Sequence, residues 1–230
     1  MIFGEYGGGE ALSRYAELRF LASDLDCAIM AFSGTHLMDK IKATGPDAVP
    51  GQVDSVGQAI TRALKDLAAI SGHPEIAYAP VSFFGHSNAT PFCAKMTAWM
   101  AQRVFCWIAF KSAFGSQFSE SGAYQVPAMV ISGELDKSYF IGQNYDQLST
   151  VKQLRAENGT LMQMIVEPGG GHGEMGTDTW TILMAFIKTT VQLRIPQDIN
   201  TSRGPVPLLR PLETESWLGD YWNKGTGGGQ

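Results

Sequence analysis

One turn, where an apolar run passes directly into a helical pattern, constrains this chain more than any other feature. The run Val81–Phe84 is typical of a buried strand, and Gly85-His86-Ser87-Asn88-Ala89 follows it. A strand, a sharp turn with a serine at its apex and a helix together form the arrangement that exposes a nucleophilic serine. It needs small residues two positions before and after the serine, as Gly85 and Ala89 are. The alternative is an ordinary turn in which Ser87 only caps the helix.

The helix itself is predicted by apolar residues at three- and four-residue steps: Ala89, Phe92, Cys93, Met96, Trp99 and Met100.

Two later segments supply an acid and a histidine in the chain order that hydrolytic sites of this kind use. Residues 126–136 read as a buried strand that ends in an acidic turn with Asp136. Residues 161–173 read as a further strand, followed by a glycine-rich loop with His172. Because parallel sheets carry functional loops at the carboxyl ends of their strands, Ser87, Asp136 and His172 are expected at one edge. Glu134 and Glu120 compete with Asp136 for the role of the acid, and His172 has the alternative of a plain loop histidine.

Residues 1 to about 193 resemble the α/β-hydrolase superfamily, especially compact bacterial esterases related to dienelactone hydrolases and polyhydroxyalkanoate depolymerases. The segments that carry the resemblance are Gly85–Ala89, Ser132–Asp136 and Gly170–Gly173. It implies an α/β fold, with helices on both faces of a mostly parallel sheet. It also implies a cofactor-free serine hydrolase that cleaves a small or polymeric carboxylic ester, with Ser87 as nucleophile, His172 as base and Asp136 as its partner.

The oxyanion of such a reaction needs two preorganised donors. One is expected to be the backbone N–H of Asn88, directly after the nucleophile. In the hydrolases that this chain resembles, the second donor comes from a glycine-rich loop after an early strand, which here points to Tyr6 or Gly7.

Several further residues are expected around the pocket. His86, Phe114, Tyr139 and Phe140 are predicted to contact substrate. The aromatic residues have core packing as an alternative, and His86 has a position on a back face, away from the pocket, as its alternative. Lys111, near a strand end, has two interpretations: contact with an acidic substrate, or the more common role of a surface lysine.

Composition narrows the class of protein. The chain has 230 residues, 44% hydrophobic and 17% charged, which fits one domain with a sizeable core. A net charge of -5 argues against nucleic acid as a partner. No apolar run reaches the roughly 18 residues of a membrane span. Three cysteines make no disulfide framework, Cys93 and Cys106 are expected in the core, and no metal site is predicted.

The two ends of the chain differ from its middle. Residues 1–194 are predicted to form the hydrolase domain, which starts later than the resemblance leads one to expect and is expected to lack the first strands at its amino end. Either the fold is minimal or the sequence is part of a longer chain, and the second alternative is favoured. Residues 195–230 are predicted to form a proline- and glycine-rich arm packed on the domain, with a flexible end. Localisation stays open, with secretion or a periplasmic location among the options, and so does the oligomeric state.

Three functional interpretations remain after the sequence has been read. The favoured one is an ester hydrolase that works through an acyl-enzyme. The second is a catalytically silent α/β-hydrolase fold that serves in binding. The third is a peptidase or polyester depolymerase with the same fold.

Overall fold

The structure of the chain is a computed structural model. At positions 2–5, 52, 88 and 143–146 it describes the backbone alone. The residues it describes are 2–5, 15–31, 52–111, 121–136, 143–173, 175–197, 204 and 207–208.

A parallel β-sheet forms the centre of the molecule. In the described part of the chain it has six strands, in the order β2-β1-β3-β4-β5-β6, and all neighbouring pairs run parallel. Every strand therefore ends at the same edge of the sheet. The strands are β1 (Ile2–Glu5), β2 (Met30–Ala31), β3 (Val81–His86), β4 (Val104–Phe110), β5 (Ala128–Gly133) and β6 (Met162–Glu167).

Helices cover both faces of this sheet. Buried residues of α2, α3 and α4 share one core cluster with one face, and buried residues of α1 and α5 share a second cluster with the other. The helices are α1 (Ala16–Asp24), α2 (Gln52–Ser71), α3 (Thr90–Trp99), α4 (Gln143–Asn158) and α5 (Thr177–Arg194).

The central strands are apolar on both sides because both faces of the sheet are covered. Neighbours in sequence point to opposite faces, so Phe83 packs in the cluster with α2, α3 and α4, whereas Phe84 packs in the cluster with α1 and α5. Trp107 and Ile108 in β4 divide in the same way. All seven residues of β4 and all six of β5 are buried, which explains why these segments read as continuous apolar runs.

The predicted fold, a parallel sheet with helices on both faces, is confirmed. Cys93 and Cys106 are buried free thiols, as expected. Among the described residues, none of the helices has the length and hydrophobicity needed to cross a bilayer. Most of the predicted carboxy-terminal arm lies outside the described residues, so the division at residue 194 stays a prediction.

The strand order reverses between β1 and β3. From β1 the chain first moves to β2 on one side and then crosses to β3 on the other. Such a switch point opens a crevice outside the carboxyl ends of the two strands, where ligands of open α/β sheets bind. Glu5 at the end of β1 is in register with His86 at the end of β3. The residue after His86 is Ser87, which therefore lies at this crevice.

Candidate active site

Ser87 occupies a sharp turn between β3 and α3. Its φ is 54°, in the left-handed region that residues with a side chain rarely adopt. A 3₁₀ turn, Ser87–Ala89, then leads into α3. The turn is tight enough to exclude a side chain at Gly85, because a Cβ there would lie 2.7 Å from Cys93 Sγ and 2.8 Å from the carbonyl oxygen of Ala89. The requirement for a small residue at this position thus has a visible steric cause.

A chain of hydrogen bonds joins Ser87, His172 and Asp136, which follow three different strands of the sheet. His172 Nε2 lies 2.9 Å from Ser87 Oγ, and His172 Nδ1 lies 2.8 Å from Asp136 Oδ2. The His172 side chain is 30% exposed and that of Asp136 is 15% exposed. The imidazole is therefore partly accessible to solvent, while the carboxylate is largely screened from water. With Nδ1 donating to the carboxylate, Nε2 is free to accept the Ser87 hydroxyl proton.

Glu134, one of the two competing acids, has another partner. Its Oε2 accepts a hydrogen bond from the backbone N–H of Gly169 at 2.7 Å. The Glu134 side chain thus holds the loop that carries His172, and the His172 imidazole pairs with Asp136 instead. Glu120, the other competitor, lies outside the described residues.

His86 contacts both the backbone and the ring of His172. Its Nε2 lies 2.8 Å from the backbone carbonyl oxygen of His172, which only accepts, so Nε2–H is the donor. The His86 ring packs between two others, with centroid distances of 5.0 Å to Phe110 and 5.1 Å to His172. The sequence predicted substrate contact for His86; these contacts point to support of the base.

The other predicted site residues are only partly visible. The backbone of Asn88 lies in the 3₁₀ turn directly after Ser87, at the start of the helical segment. Tyr6, Gly7, Phe114, Tyr139 and Phe140 lie outside the described residues, so their predicted roles stay predictions.

Lys111 is the residue for which the sequence-based prediction was wrong. It is 1% exposed, and its Nζ forms an ion pair and hydrogen bond with Glu167 Oε2. Lys111 directly follows β4 and Glu167 ends β6, on either side of β5, and Gly133 at the end of β5 lies between them. A Cβ at Gly133 would lie 2.8 Å from Lys111 Nζ, so glycine leaves the space for the pair. The only sequence signal was the presence of opposite charges at the ends of two apolar strands.

Glu167 feels two opposing influences on its pKa. Burial raises the pKa, but hydrogen bonds from Lys111, Gly176 and Thr179 lower it more, so the pKa of Glu167 lies below its ordinary value of 4.5. The carboxylate is therefore charged at neutral pH. Among the described residues, no group of three or more His, Cys, Asp or Glu side chains could hold a metal ion.

Comparison with solved structures decides the fold family. An esterase named PE8 matches over 82% of this chain and 90% of its own, with a TM-score of 0.55 and 15% identity. A truncated carbohydrate esterase from gut microbiota covers 83% and 85%, with a TM-score of 0.54 and 13% identity. The chain has the α/β-hydrolase fold.

A third neighbour of this α/β-hydrolase fold is a predicted CIB-like hydrolase from Thermoplasma acidophilum. It covers 82% of this chain and 86% of its own, with a TM-score of 0.51 and 15% identity. No protein-family model matches the sequence, and comparison with curated proteins finds no match either. At identities this low, the likeness carries the α/β-hydrolase fold and leaves the chemistry to the site itself.

Proposed function

We propose that this protein is a serine hydrolase that cleaves carboxylic esters through an acyl-enzyme. The observation that carries the proposal is the hydrogen-bonded chain from Ser87 through His172 to Asp136, at the switch point of the sheet. A serine hydroxyl is a weak nucleophile at neutral pH and needs a base that removes its proton during attack. His172 Nε2, 2.9 Å from the hydroxyl oxygen, has the distance that this transfer requires.

The reaction proceeds in two halves. In the first, Ser87 Oγ attacks the ester carbonyl carbon while its proton moves to His172 Nε2. The C–O bond to the alcohol then breaks, and the leaving alkoxide takes that proton. In the second half, a water molecule attacks the acyl carbon and gives one proton to His172 Nε2. The bond from the acyl carbon to Ser87 Oγ then breaks, and Oγ takes that proton back from Nε2. Asp136 holds the ring with Nδ1–H toward the carboxylate and stabilises the imidazolium formed in each half.

Each tetrahedral intermediate carries a negative oxygen that needs fixed donors. The backbone N–H of Asn88 is proposed as one, because it follows Ser87 directly and begins a helical segment whose dipole favours negative charge. Tyr6 or Gly7 is proposed as the second donor. The register of Glu5 with His86 supports this choice, since β1 ends beside β3, the strand that directly precedes Ser87.

A carboxylic ester is the proposed substrate class. Two of the compared structures are described as an esterase and a carbohydrate esterase, so esters are the first substrates to test. The competing function is a catalytically silent α/β-hydrolase fold that only binds. The strained φ of Ser87 favours catalysis, because a helix cap needs no left-handed serine, and strain of this kind clusters at functional sites.

The test uses p-nitrophenyl esters of several acyl lengths, together with a fluorophosphonate probe that reacts with activated serines. We expect turnover by the wild-type protein, and its loss to the background rate in Ser87→Ala. The probe is expected to label Ser87 alone. Turnover that survives in Ser87→Ala, or labelling at another serine, would refute the assignment.

A matched pair of variants tests the acid. Asp136→Asn keeps the shape of the side chain but favours the wrong imidazole tautomer, so we expect kcat to fall by a factor on the order of 10⁴. Glu134→Gln keeps an oxygen that can accept from Gly169, and kcat is expected to stay within about threefold of wild type. A large fall in kcat for Glu134→Gln, with kcat nearly unchanged in Asp136→Asn, would assign the role of the acid to Glu134.

A further inference from the structure

The buried pair of Lys111 and Glu167 lies directly under the loop that carries His172. Lys111 follows β4, and its backbone N–H donates to the carbonyl oxygen of Ile131 in β5 at 2.7 Å. Its φ of 49° turns the chain sharply there. The two side chains are 0% and 6% exposed, so the pair is shielded from water and salt.

The second carboxylate oxygen of Glu167 holds the far end of the same loop. Oε1 accepts a hydrogen bond from the backbone N–H of Gly176, the residue that caps α5. Thr179, in the first turn of α5, also hydrogen-bonds to this carboxylate. A negative group at a helix N-terminus is favoured by the helix dipole. Glu167 thus holds both ends of the segment between β6 and α5, because it is itself the last residue of β6 and its side chain binds Gly176.

The start of this loop is hydrogen-bonded to the turn after β5 that contains Asp136. The carbonyl oxygen of Gly170 accepts from the backbone N–H of Leu135 at 2.9 Å, and the carbonyl oxygen of Glu167 accepts from Glu134 N–H at 3.0 Å. A Cβ at Gly133 would lie 2.5 Å from Gly170 O and 2.7 Å from Gly171 O. The histidine loop, the acid turn and the Lys111 ammonium therefore meet around Gly133.

We propose that the Lys111–Glu167 ion pair is the positioning element that holds the His172 loop against the Asp136 turn, and so sets the distance from the imidazole to Ser87. This inference rests on the proposed serine hydrolase function. Neither member is a catalytic residue, because Lys111 and Glu167 act through the loop. The interpretation of Lys111 as a residue that contacts an acidic substrate is replaced.

The expected size of the effect follows from geometry. A displacement of about 1 Å in a reacting group can cost on the order of a hundredfold in rate. Removal of one member leaves the other as an uncompensated buried charge, which is relieved when the charged group loses its charge or when the structure opens toward water. The segment that would open is the loop. Substrate binding does not depend on the pair, so kcat is expected to fall while KM stays near its wild-type value.

Four variants of the full chain test the proposal. Lys111→Met and Glu167→Gln remove one charge each, and Lys111→Met/Glu167→Gln removes both and leaves a neutral pair of similar shape. Arg194→Met is the matched control. Arg194 is also a buried cation bound to β4, but its Nη1 donates to the carbonyl oxygens of Val104 and Phe105 at the opposite end of that strand.

We expect kcat for a p-nitrophenyl ester to fall about a hundredfold in Lys111→Met, with KM within about threefold. The rate of fluorophosphonate labelling at Ser87 should fall in parallel. The kcat of the double variant should be at least tenfold higher than that of Lys111→Met. Arg194→Met, assayed well below its melting temperature, should keep kcat within about threefold. Amide hydrogen exchange should quicken at residues 168–176 in Lys111→Met, and near Val104 and Phe105 in Arg194→Met.

Three outcomes would overturn the inference. These are an unchanged kcat in folded Lys111→Met and Glu167→Gln, a rise in KM alone, or unchanged exchange in residues 168–176. If Lys111→Met does not fold, Glu167→Gln and the double variant decide the same point. Absence of turnover and labelling in the wild-type protein would instead refute the proposed function, and the exchange measurement would still show whether the pair holds the loop.

Discussion

At the scale of single residues, His86 has the most informative contacts. It directly precedes Ser87 and donates from Nε2 to the carbonyl oxygen of His172, so one side chain links the Ser87 turn to the loop that carries His172. Phe110 packs on its ring and limits its rotation. A residue with these contacts can hold His172 in place, which supports the base of the proposed reaction without any contact to substrate.

We expect His86→Leu to lower kcat by about tenfold, because the loss of one hydrogen bond releases the His172 backbone. His86→Gln keeps an N–H donor at a similar reach and should retain most of the rate. Steady-state kinetics on both variants separate the two roles of His86. A rise in KM with unchanged kcat in His86→Leu would favour the substrate contact predicted from the sequence.

At the scale of secondary-structure elements, the end of β5 controls how two loops pack. Gly133 is the last residue of β5 and has the carbonyl oxygens of Gly170 and Gly171 against it. Its missing side chain also leaves room for the Lys111 ammonium. One glycine thus permits both the close approach of the histidine loop and the ion pair beneath it.

Gly133→Ala is therefore expected to destabilise the protein by about 1–3 kcal/mol and to lower kcat, because the methyl group displaces the loop. Gly171→Ala is the control, since a Cβ at Gly171 meets nothing within 4 Å. Thermal melts and ester turnover of the two variants check this. Equal losses in both would argue against the steric role of Gly133.

At the scale of the whole molecule, Glu167 links stability to pH. Its folded-state pKa lies below 4.5, so its contribution to the free energy of unfolding is complete above the unfolded pKa and is lost as pH falls through the folded value. The same carboxylate joins β4, β6 and α5. Protonation of Glu167 therefore loosens three elements together.

Denaturant unfolding between pH 3 and 7 tests this linkage. Wild-type stability should decline more steeply below about pH 4.5 than that of Glu167→Gln, which has no carboxylate to protonate at this position. Near pH 7, Lys111→Met should cost about 3–5 kcal/mol, since it leaves a buried charge without its partner. Parallel pH curves for wild type and Glu167→Gln would contradict the assignment.

Local pattern was enough to predict much of this protein. The apolar runs at β3, β4 and β5 marked the buried strands, because a sheet covered on both faces needs apolar residues on both sides of each strand. The turn at Ser87 was recognisable because its steric needs are local, as Gly85 illustrates. The chain order of Ser87, Asp136 and His172, with the rule that parallel strands share one carboxyl edge, predicted that the three would meet.

Tertiary structure alone decided which polar groups pair across distant segments. Lys111 and Glu167 are 56 positions apart, and opposite charges at the ends of two apolar strands do not by themselves indicate that these two residues pair. The same holds for His86 with the carbonyl of His172, and for Glu134 with Gly169. A local pattern reports burial and backbone shape, which depend on neighbours in sequence. The partner of a buried charge depends on strand order and register, which exist only once the sheet has formed.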